Sequence, residues 1–209
     1  MKIIIADDHA VVREGLKQIL ADIQGVSVIE GVANGSELME KLSDNTYDLV
    51  ILDISMPGKS GLDVLKEIKV LDPHIPVLIL SIYPEEQYAL RVLKAGAAGY
   101  ITKDSASEEL ISAVEKISKG YKYITPKVVE KLVSDLAYQN NKLPHEHLSD
   151  REFEVFKLMA SGKTVTEIAE KLFISVKTVS TYRTRIYEKM NMKSRSEITQ
   201  YAILNGLIE

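Results

Sequence analysis

Ile3-Ile4-Ile5-Ala6-Asp7-Asp8 and Leu49-Val50-Ile51-Leu52-Asp53 decide the fold. Each is a continuous apolar run, rich in β-branched side chains, that stops abruptly at carboxylates. A strand buried on both faces reads this way, whereas a half-exposed strand alternates apolar with polar. Val77-Leu78-Ile79-Leu80, ending at Ser81, repeats the pattern, and Val26-Ser27-Val28-Ile29 and Gly99-Tyr100-Ile101-Thr102 are shorter versions of it. Amphipathic stretches near 9–22, 35–43, 60–71, 84–96 and 107–119 separate the runs and predict helices. Five βα units predict an α/β domain with an open, doubly wound parallel sheet. In such sheets a ligand sits outside the C-terminal strand ends, where the strand order reverses. Asp7, Asp8, Asp53, Ser81 and Lys103 all fall at those ends.

Near residue 120 the alternation stops. Residues 126–138 have the pattern of an amphipathic helix, and Gln139-Asn140-Asn141-Lys142-Leu143-Pro144 is a polar hinge closed by proline. Ser149-Asp150-Arg151-Glu152 and Thr164-Val165-Thr166-Glu167 are capping-box signatures. Helices are expected near 150–160, 164–171, 176–190 and 195–204. Two of them are joined by the three residues Phe173-Ile174-Ser175, as in a helix-turn-helix unit. The expected organisation is an α/β domain over 1–120, a linker with a helix over 121–143, and an all-α four-helix domain over 144–209.

Charge divides along the same line. Residues 1–120 hold 12 Lys and Arg against 19 Asp and Glu, a net of −7. Residues 176–195 hold six basic side chains against Glu188 alone, a net of +5. Most charge runs are solvated helix faces, so this one only points toward nucleic acid. The chain has no cysteine, which excludes disulfides, thiolate zinc sites and thiol nucleophiles. No apolar run is long enough to span a bilayer, and carboxylates interrupt the N-terminal run at once, unlike a signal peptide. No membrane association and a cytoplasmic location are the expectations.

Asp7, Asp8 and Asp53 converge if the first and third strands are neighbours. Like charges at short range raise one another's pKa, so the cluster calls for a cation, and a hard divalent ion such as Mg²⁺ suits oxygen ligands. Ser81 and Lys103 add a hydroxyl and an ammonium. Metal, ammonium and hydroxyl around one carboxylate nucleophile make a site for a phosphoryl group. A lone Asp-Asp pair is more often a loop cap, but capping does not account for five such residues at the proper strand ends. Over residues 1–120 the chain resembles the receiver domain of bacterial two-component response regulators, through Asp7-Asp8, Asp53, Met56-Pro57-Gly58, Ser81, Tyr100 and Lys103. The resemblance implies a flavodoxin-like five-stranded fold and Asp53 as phosphoacceptor. It also implies Mg²⁺ held by Asp8, Asp53 and the carbonyl of Ser55, with Asp7 acting largely through water. Lys103 would pair with the phosphoryl group, and Ser81 would move to it while the Tyr100 ring turns inward. Asp104 stands where the family usually has proline, which predicts a further carboxylate near the site. Aspartyl-nucleophile phosphatases need a second acid two residues after the nucleophile, and that position is Ser55. A receiver-like domain that is constitutively active or senses another signal is the remaining alternative.

On a helical wheel Val179, Ile186 and Met190 fall within roughly 20° of one another, which predicts a buried stripe. Ser180, Thr181 and Thr184 lie away from it, short enough for close approach to base edges. Lys177, Tyr182, Arg183 and Arg185 flank them and could reach phosphates. Leu148-Ser149-Asp150-Arg151-Glu152, Ala160-Ser161-Gly162-Lys163, Glu167-Ile168-Ala169, Ile174-Ser175 and Lys177-Thr178-Val179 resemble the LuxR-type helix-turn-helix. Together the two resemblances imply a NarL/FixJ-class response regulator, which is not an enzyme. Such a protein takes a phosphoryl group from a histidine kinase and binds double-stranded promoter DNA as a homodimer. The family's common Lys-x-His is here Ser180-Thr181-Tyr182, so base preference cannot be carried over.

Overall fold

A computed structural model of the chain describes residues 1–130 and 143–208. The chain divides into two compact units, Met1–Asp135 and Leu136–Glu209. Among the described residues no helix is long and apolar enough to cross a membrane.

The first unit alternates β1 (Lys2–Ala6), α1 (Ala10–Ala21), β2 (Val28–Val32), α2 (Gly35–Asp44), β3 (Leu49–Asp53), α3 (Gly61–Leu71), β4 (Val77–Ser81), α4 (Glu85–Lys94), β5 (Gly99–Thr102) and α5 (Ala106–Ser118). All neighbouring strands are parallel, in the order β2-β1-β3-β4-β5. The order reverses between β1 and β3, which makes the two Asp-ended strands neighbours. One face of the sheet presents Ile3, Ile5, Leu49, Ile51, Leu78, Leu80 and Ile101 to Leu16 and Leu20 of α1 and to Leu110, Val114 and Ile117 of α5. The alternate residues Ile4, Val50, Leu52 and Ile79 are equally buried, and α2, α3 and α4 approach the strands as well. Burial on both faces is why the central runs read as unbroken apolar text.

Two expectations shift here. β2 starts two residues later than the Val26–Ile29 run, because the Val26 amide closes a turn on the Ile23 carbonyl at 3.2 Å. As an edge strand β2 leaves Gly31 exposed and Glu30 half-buried, so its pattern is weak. The opening of the expected linker lies against the other edge of the sheet. Tyr123 forms a parallel bridge with Gly99, and its amide donates to the Ala98 carbonyl at 2.8 Å. A Cβ on Gly99 would stand 2.9 Å from Tyr123 Cβ, so this approach requires glycine. Residues 126–130 are helical, and the rest of the expected 126–138 helix and most of the hinge lie outside the described residues.

The second unit begins with a 3₁₀ turn, Pro144–His147, followed by α6 (Asp150–Ala160), α7 (Val165–Leu172), α8 (Val176–Met190) and α9 (Arg195–Leu204). Both expected capping boxes form, Ser149 with Glu152 and Thr164 with Glu167. Phe153, Phe156, Ile168, Val179, Ile186, Ile198 and Ala202 close a small core. His145 Nδ1 lies 2.8 Å from the Tyr201 hydroxyl and ties the 3₁₀ turn to α9.

Gly61 packs against the strand end that carries Asp53. A Cβ there would lie 2.1 Å from the Asp53 carbonyl oxygen and 2.6 Å from Ile54 Cα, both backbone atoms that cannot move aside. Gly61→Ala is therefore expected to destabilise the first unit by about 1–3 kcal/mol, the usual cost of overpacking. A urea unfolding curve with an unchanged midpoint would show that this contact is soft.

Candidate functional site

Register brings the carboxylates together. Ala6 pairs with Leu52 and Asp53 with Leu80, so Asp7, Asp53 and Ser81 emerge side by side at the C-terminal sheet edge. Ligand atoms of Asp7, Asp8, His9 and Asp53 lie within 4.8 Å of one another. Asp7 and Asp53 are almost completely buried, at 0% and 1% exposure. Lys103 follows β5 and sets Nζ 2.6 Å from Asp7 Oδ2 and 2.8 Å from Asp53 Oδ2. Asp53 Oδ1 accepts the Ser55 amide at 3.0 Å.

Burial pushes the Asp53 carboxyl above its ordinary range, and Asp7 adds to the shift, while Lys103 and the Ser55 N–H oppose it. For Lys103 burial works against the charged form, but the two carboxylates outweigh it and hold the ammonium above the usual lysine value. Asp7 Oδ2 and Asp8 Oδ1 are buried, the first facing Lys103 Nζ at 2.6 Å and the second His9 Nδ1 at 2.9 Å, so one ammonium serves three carboxylates. Such oxygens beside an over-acidic cluster fit a hard divalent cation. The Ser55 side chain is exposed and takes no part in the cluster.

Ser81 is fully buried, and its Oγ accepts the Tyr83 amide at 3.1 Å. Tyr100 already lies inward at 3% exposure, its hydroxyl donating to the Tyr83 carbonyl at 2.7 Å. Burial raises the Tyr100 pKa, and the nearby Ser81 hydroxyl works against that shift. Asp104 does not join the cluster. Ser105 and Thr102 hydrogen-bond each other, Oγ to Oγ1 at 3.0 Å, in a tight turn into α5. Asp104 is left exposed, lining a separate cleft with Ile82, Pro84, Glu85 and Glu109.

Sequence reading overlooked His9, whose Nδ1 is 2.9 Å from Asp8 Oδ1 and whose amide donates to Asp7 Oδ1 at 2.8 Å. Its place directly after Asp7-Asp8 was the available signal. Arg13 was missed as well; it donates to the Asp7 carbonyl at 2.6 Å and fixes that turn.

In α8, Val179, Ile186 and Met190 are the buried residues, as the wheel predicts. Ser175 caps the helix by accepting the Thr178 amide at 3.0 Å. Lys177, Thr181, Arg183, Thr184 and Arg185 are exposed, and Ser180 and Tyr182 are half-buried. The hydroxyls of Ser180, Thr181 and Thr184 donate back to the carbonyls of Val176, Lys177 and Ser180, at 3.0, 3.1 and 3.2 Å. Their lone pairs remain available on the surface of the helix. The basic stretch splits into two sets. Lys189 pairs with buried Glu152 at 2.6 Å, and Arg195 donates to the carbonyls of Met159 and Lys163 at 3.0 and 2.8 Å. Lys177, Arg183 and Arg185 make no ion pair among the described residues.

Comparison with known proteins agrees with this architecture. The family model for response regulator receiver domains matches residues 3–115, and that for bacterial regulatory proteins of the luxR family matches residues 146–202. The chain is 42% identical to the oxygen regulatory protein NreC of Staphylococcus carnosus (strain TM300) and 39% identical to NreC of Staphylococcus aureus (strain JH9), with all of each chain covered. A similar solved structure is RcsB from Salmonella enterica serovar Typhimurium bound to promoter rprA in the presence of phosphomimetic BeF₃⁻. It shares 29% identity at a TM-score of 0.67, covering 96% of this chain and 98% of that one. The response regulator ChrA of a heme-sensing two-component system is 32% identical at a TM-score of 0.51, covering 99% and 98% of the two chains.

The division of the basic side chains is measurable without any ligand. Arg195→Ala removes charge-assisted bonds to the last turn of α6 and the loop after it, and should cost about 1.5–3 kcal/mol of stability. Arg185→Ala should change thermal unfolding by less than about 0.5 kcal/mol, as surface substitutions do. Equal losses in the two variants would show that Arg185 is structural.

Proposed function

The chain belongs to the two-component response regulators of the NarL/FixJ class, a receiver domain joined to a LuxR-type DNA-binding domain, and on that premise we propose that its switch is phosphorylation of Asp53. The protein is a DNA-binding transcription regulator and not an enzyme, and its receiver implies a histidine kinase as partner. The observation that carries the proposal is the convergence of Lys103 Nζ on Asp53 and Asp7, at 2.8 and 2.6 Å. We assign residues 1–120 to the receiver, 121–143 to the connection and 144–209 to the DNA-binding domain.

Asp8, Asp53 and the Ser55 carbonyl would hold Mg²⁺, with Asp7 contributing largely through water. The bound ion supplies positive charge to the oxygens of the phosphoryl group in transfer. A carboxylate oxygen of Asp53 attacks the phosphorus of the kinase phosphohistidine; the O–P bond forms as the N–P bond breaks, and the imidazole leaves. Lys103 is placed to pair with the transferred group, whose roughly 1.5 to 2 negative charges replace part of the carboxylate charge it now meets. Ser81 is placed to donate to a phosphoryl oxygen, and Tyr100, bonded to the same loop, responds to its movement.

In the DNA-binding domain α8 is the recognition helix. Ser180, Thr181 and Thr184 face base edges in the major groove, and Lys177, Tyr182, Arg183 and Arg185 hold the phosphates. Two such helices in a homodimer meet two half-sites of a promoter. Promoter DNA as ligand supports a cytoplasmic site of action.

Incubation with phosphoramidate and Mg²⁺ should add one acid-labile phosphoryl group by intact-mass spectrometry. Asp53→Asn should add none, since an amide is not the required nucleophile. An unchanged mass gain in that variant would remove Asp53 from the mechanism.

For DNA, Thr181→Ala or Thr184→Ala should alter preference at particular base positions by up to about 1–3 kcal/mol. Lys177→Ala or Arg185→Ala should instead weaken all duplexes alike and reduce the salt slope by about one unit. Titrations of specific and scrambled duplexes at several salt concentrations separate the two behaviours. Intact specificity in both threonine variants would mean that another face of α8 reads the bases.

A further inference from the structure

Residues 121–130 are tied to the first unit from two directions. On one side Tyr123 is held by α5: its hydroxyl donates to Glu109 Oε2 at 2.8 Å, and Lys116 Nζ lies 5.8 Å from its ring centroid. On the other side the Thr125 hydroxyl donates to Glu85 Oε2. Thr125 also stands immediately before a helix. Its carbonyl accepts the Val129 amide at 3.1 Å, and Pro126 follows at the position where a missing N–H costs nothing. Glu85 is the first residue of α4. One carboxylate therefore stands at the N-termini of two helices, where negative charge is favoured by both dipoles.

Glu85 is also the end of a short lead from the switch residues. Tyr83 donates its amide to Ser81 Oγ at 3.1 Å and accepts the Tyr100 hydroxyl on its carbonyl at 2.7 Å. Pro84 then enters α4 directly, with Glu85 next. A Ser81 side chain that rotates toward a phosphoryl oxygen draws Oγ away from the Tyr83 amide, and the stiff Tyr83-Pro84 link would carry the shift to Glu85. The Tyr123–Glu109 contact has no such lead, since Glu109 lies within α5.

We propose that Glu85 and Thr125 are positioning residues for output: their contact latches the helix that begins at Pro126 in the unphosphorylated protein, and phosphorylation of Asp53 releases it. The inference rests on Asp53 as phosphoacceptor. Release frees the segment that leads to the DNA-binding domain, so it links the chemistry to a change in promoter affinity.

Hydrogen exchange across residues 121–130 of the full chain, with and without phosphoramidate and Mg²⁺, tests this alongside intact mass and DNA titration. In the parent protein exchange should speed up several-fold on phosphorylation. Thr125→Val, and Glu85→Ala from the other side, should exchange fast in both states and raise the promoter affinity of the unphosphorylated protein several-fold. Thr125→Ser keeps the hydroxyl and should restore the phosphorylation response. Tyr123→Phe should speed exchange in both states yet preserve a phosphorylation-dependent difference. The latch is overturned if Asp53 is fully phosphorylated and promoter affinity rises while exchange at 121–130 stays the same. It is equally overturned if the released variants still need phosphorylation for tight binding, or if Tyr123→Phe abolishes the response as completely as Thr125→Val. Absence of any mass gain at Asp53 would instead remove the phosphorylation reading, and the release step with it.

Discussion

Lys103 is what allows two buried carboxylates to share one edge of this sheet. Asp7 and Asp53 have almost no contact with solvent, and charges deprived of water are costly unless paired. At an effective dielectric near 20, a pair of unit charges 4 Å apart interacts by roughly 4 kcal/mol. One ammonium within 2.8 Å of both carboxylates supplies two attractions against one repulsion. The balance still leaves Asp53 shifted upward by its burial. The pocket is thus satisfied enough to fold and short of positive charge, which suits the proposed binding of a divalent cation and a phosphoryl group.

That edge was largely legible because the central strands are buried on both faces. Ile3–Ala6, Leu49–Leu52 and Val77–Leu80 carry nothing but apolar side chains, so the first polar residue after each run marks a strand end. The signal fades where burial is one-sided. β2 exposes Gly31 and half-exposes Glu30, and its start was misjudged by two residues. The pairing of Tyr123 with Gly99 was invisible because a single bridge leaves no period to detect, and only the glycine records it. Asp104 misled for another reason. Sequence proximity to Lys103 says nothing about direction, and the Thr102–Ser105 turn sends its side chain away from the cluster.

In the second unit periodicity succeeded and charge counting only half succeeded. The Val179-Ile186-Met190 stripe was readable because a helix of 15 residues samples its own period several times. The net charge of the same stretch could not distinguish solvent-facing cations from those that close the fold. Lys189 neutralises a buried glutamate, and Arg195 donates to one carbonyl in the last turn of α6 and one in the loop after it. What remains for a polyanion is Lys193 beyond α8 and, on the same helix as the three hydroxyl residues, Lys177, Arg183 and Arg185.

The loop after β4 joins the acidic sheet edge to α4. Ser81 Oγ accepts the Tyr83 amide, so a rotation of that side chain toward Asp53 would stretch or break this bond. A polar group left unpartnered costs up to about 1–3 kcal/mol when buried, and Tyr83 is half-buried, so part of that cost applies unless the loop re-forms. Tyr83 also holds the Tyr100 hydroxyl through its carbonyl, so the amide and carbonyl of one residue connect both switch side chains. Ser81 and Tyr100 are thus both hydrogen-bonded to Tyr83, so a movement of either bears on the same residue. The strand ends below them are fixed by burial on both faces of the sheet, and the loop, being the softer part, takes up the displacement. In the proposed switch a small change in the position of one hydroxyl would become a change in backbone path at Pro84, with no large motion of the core needed to pass it on.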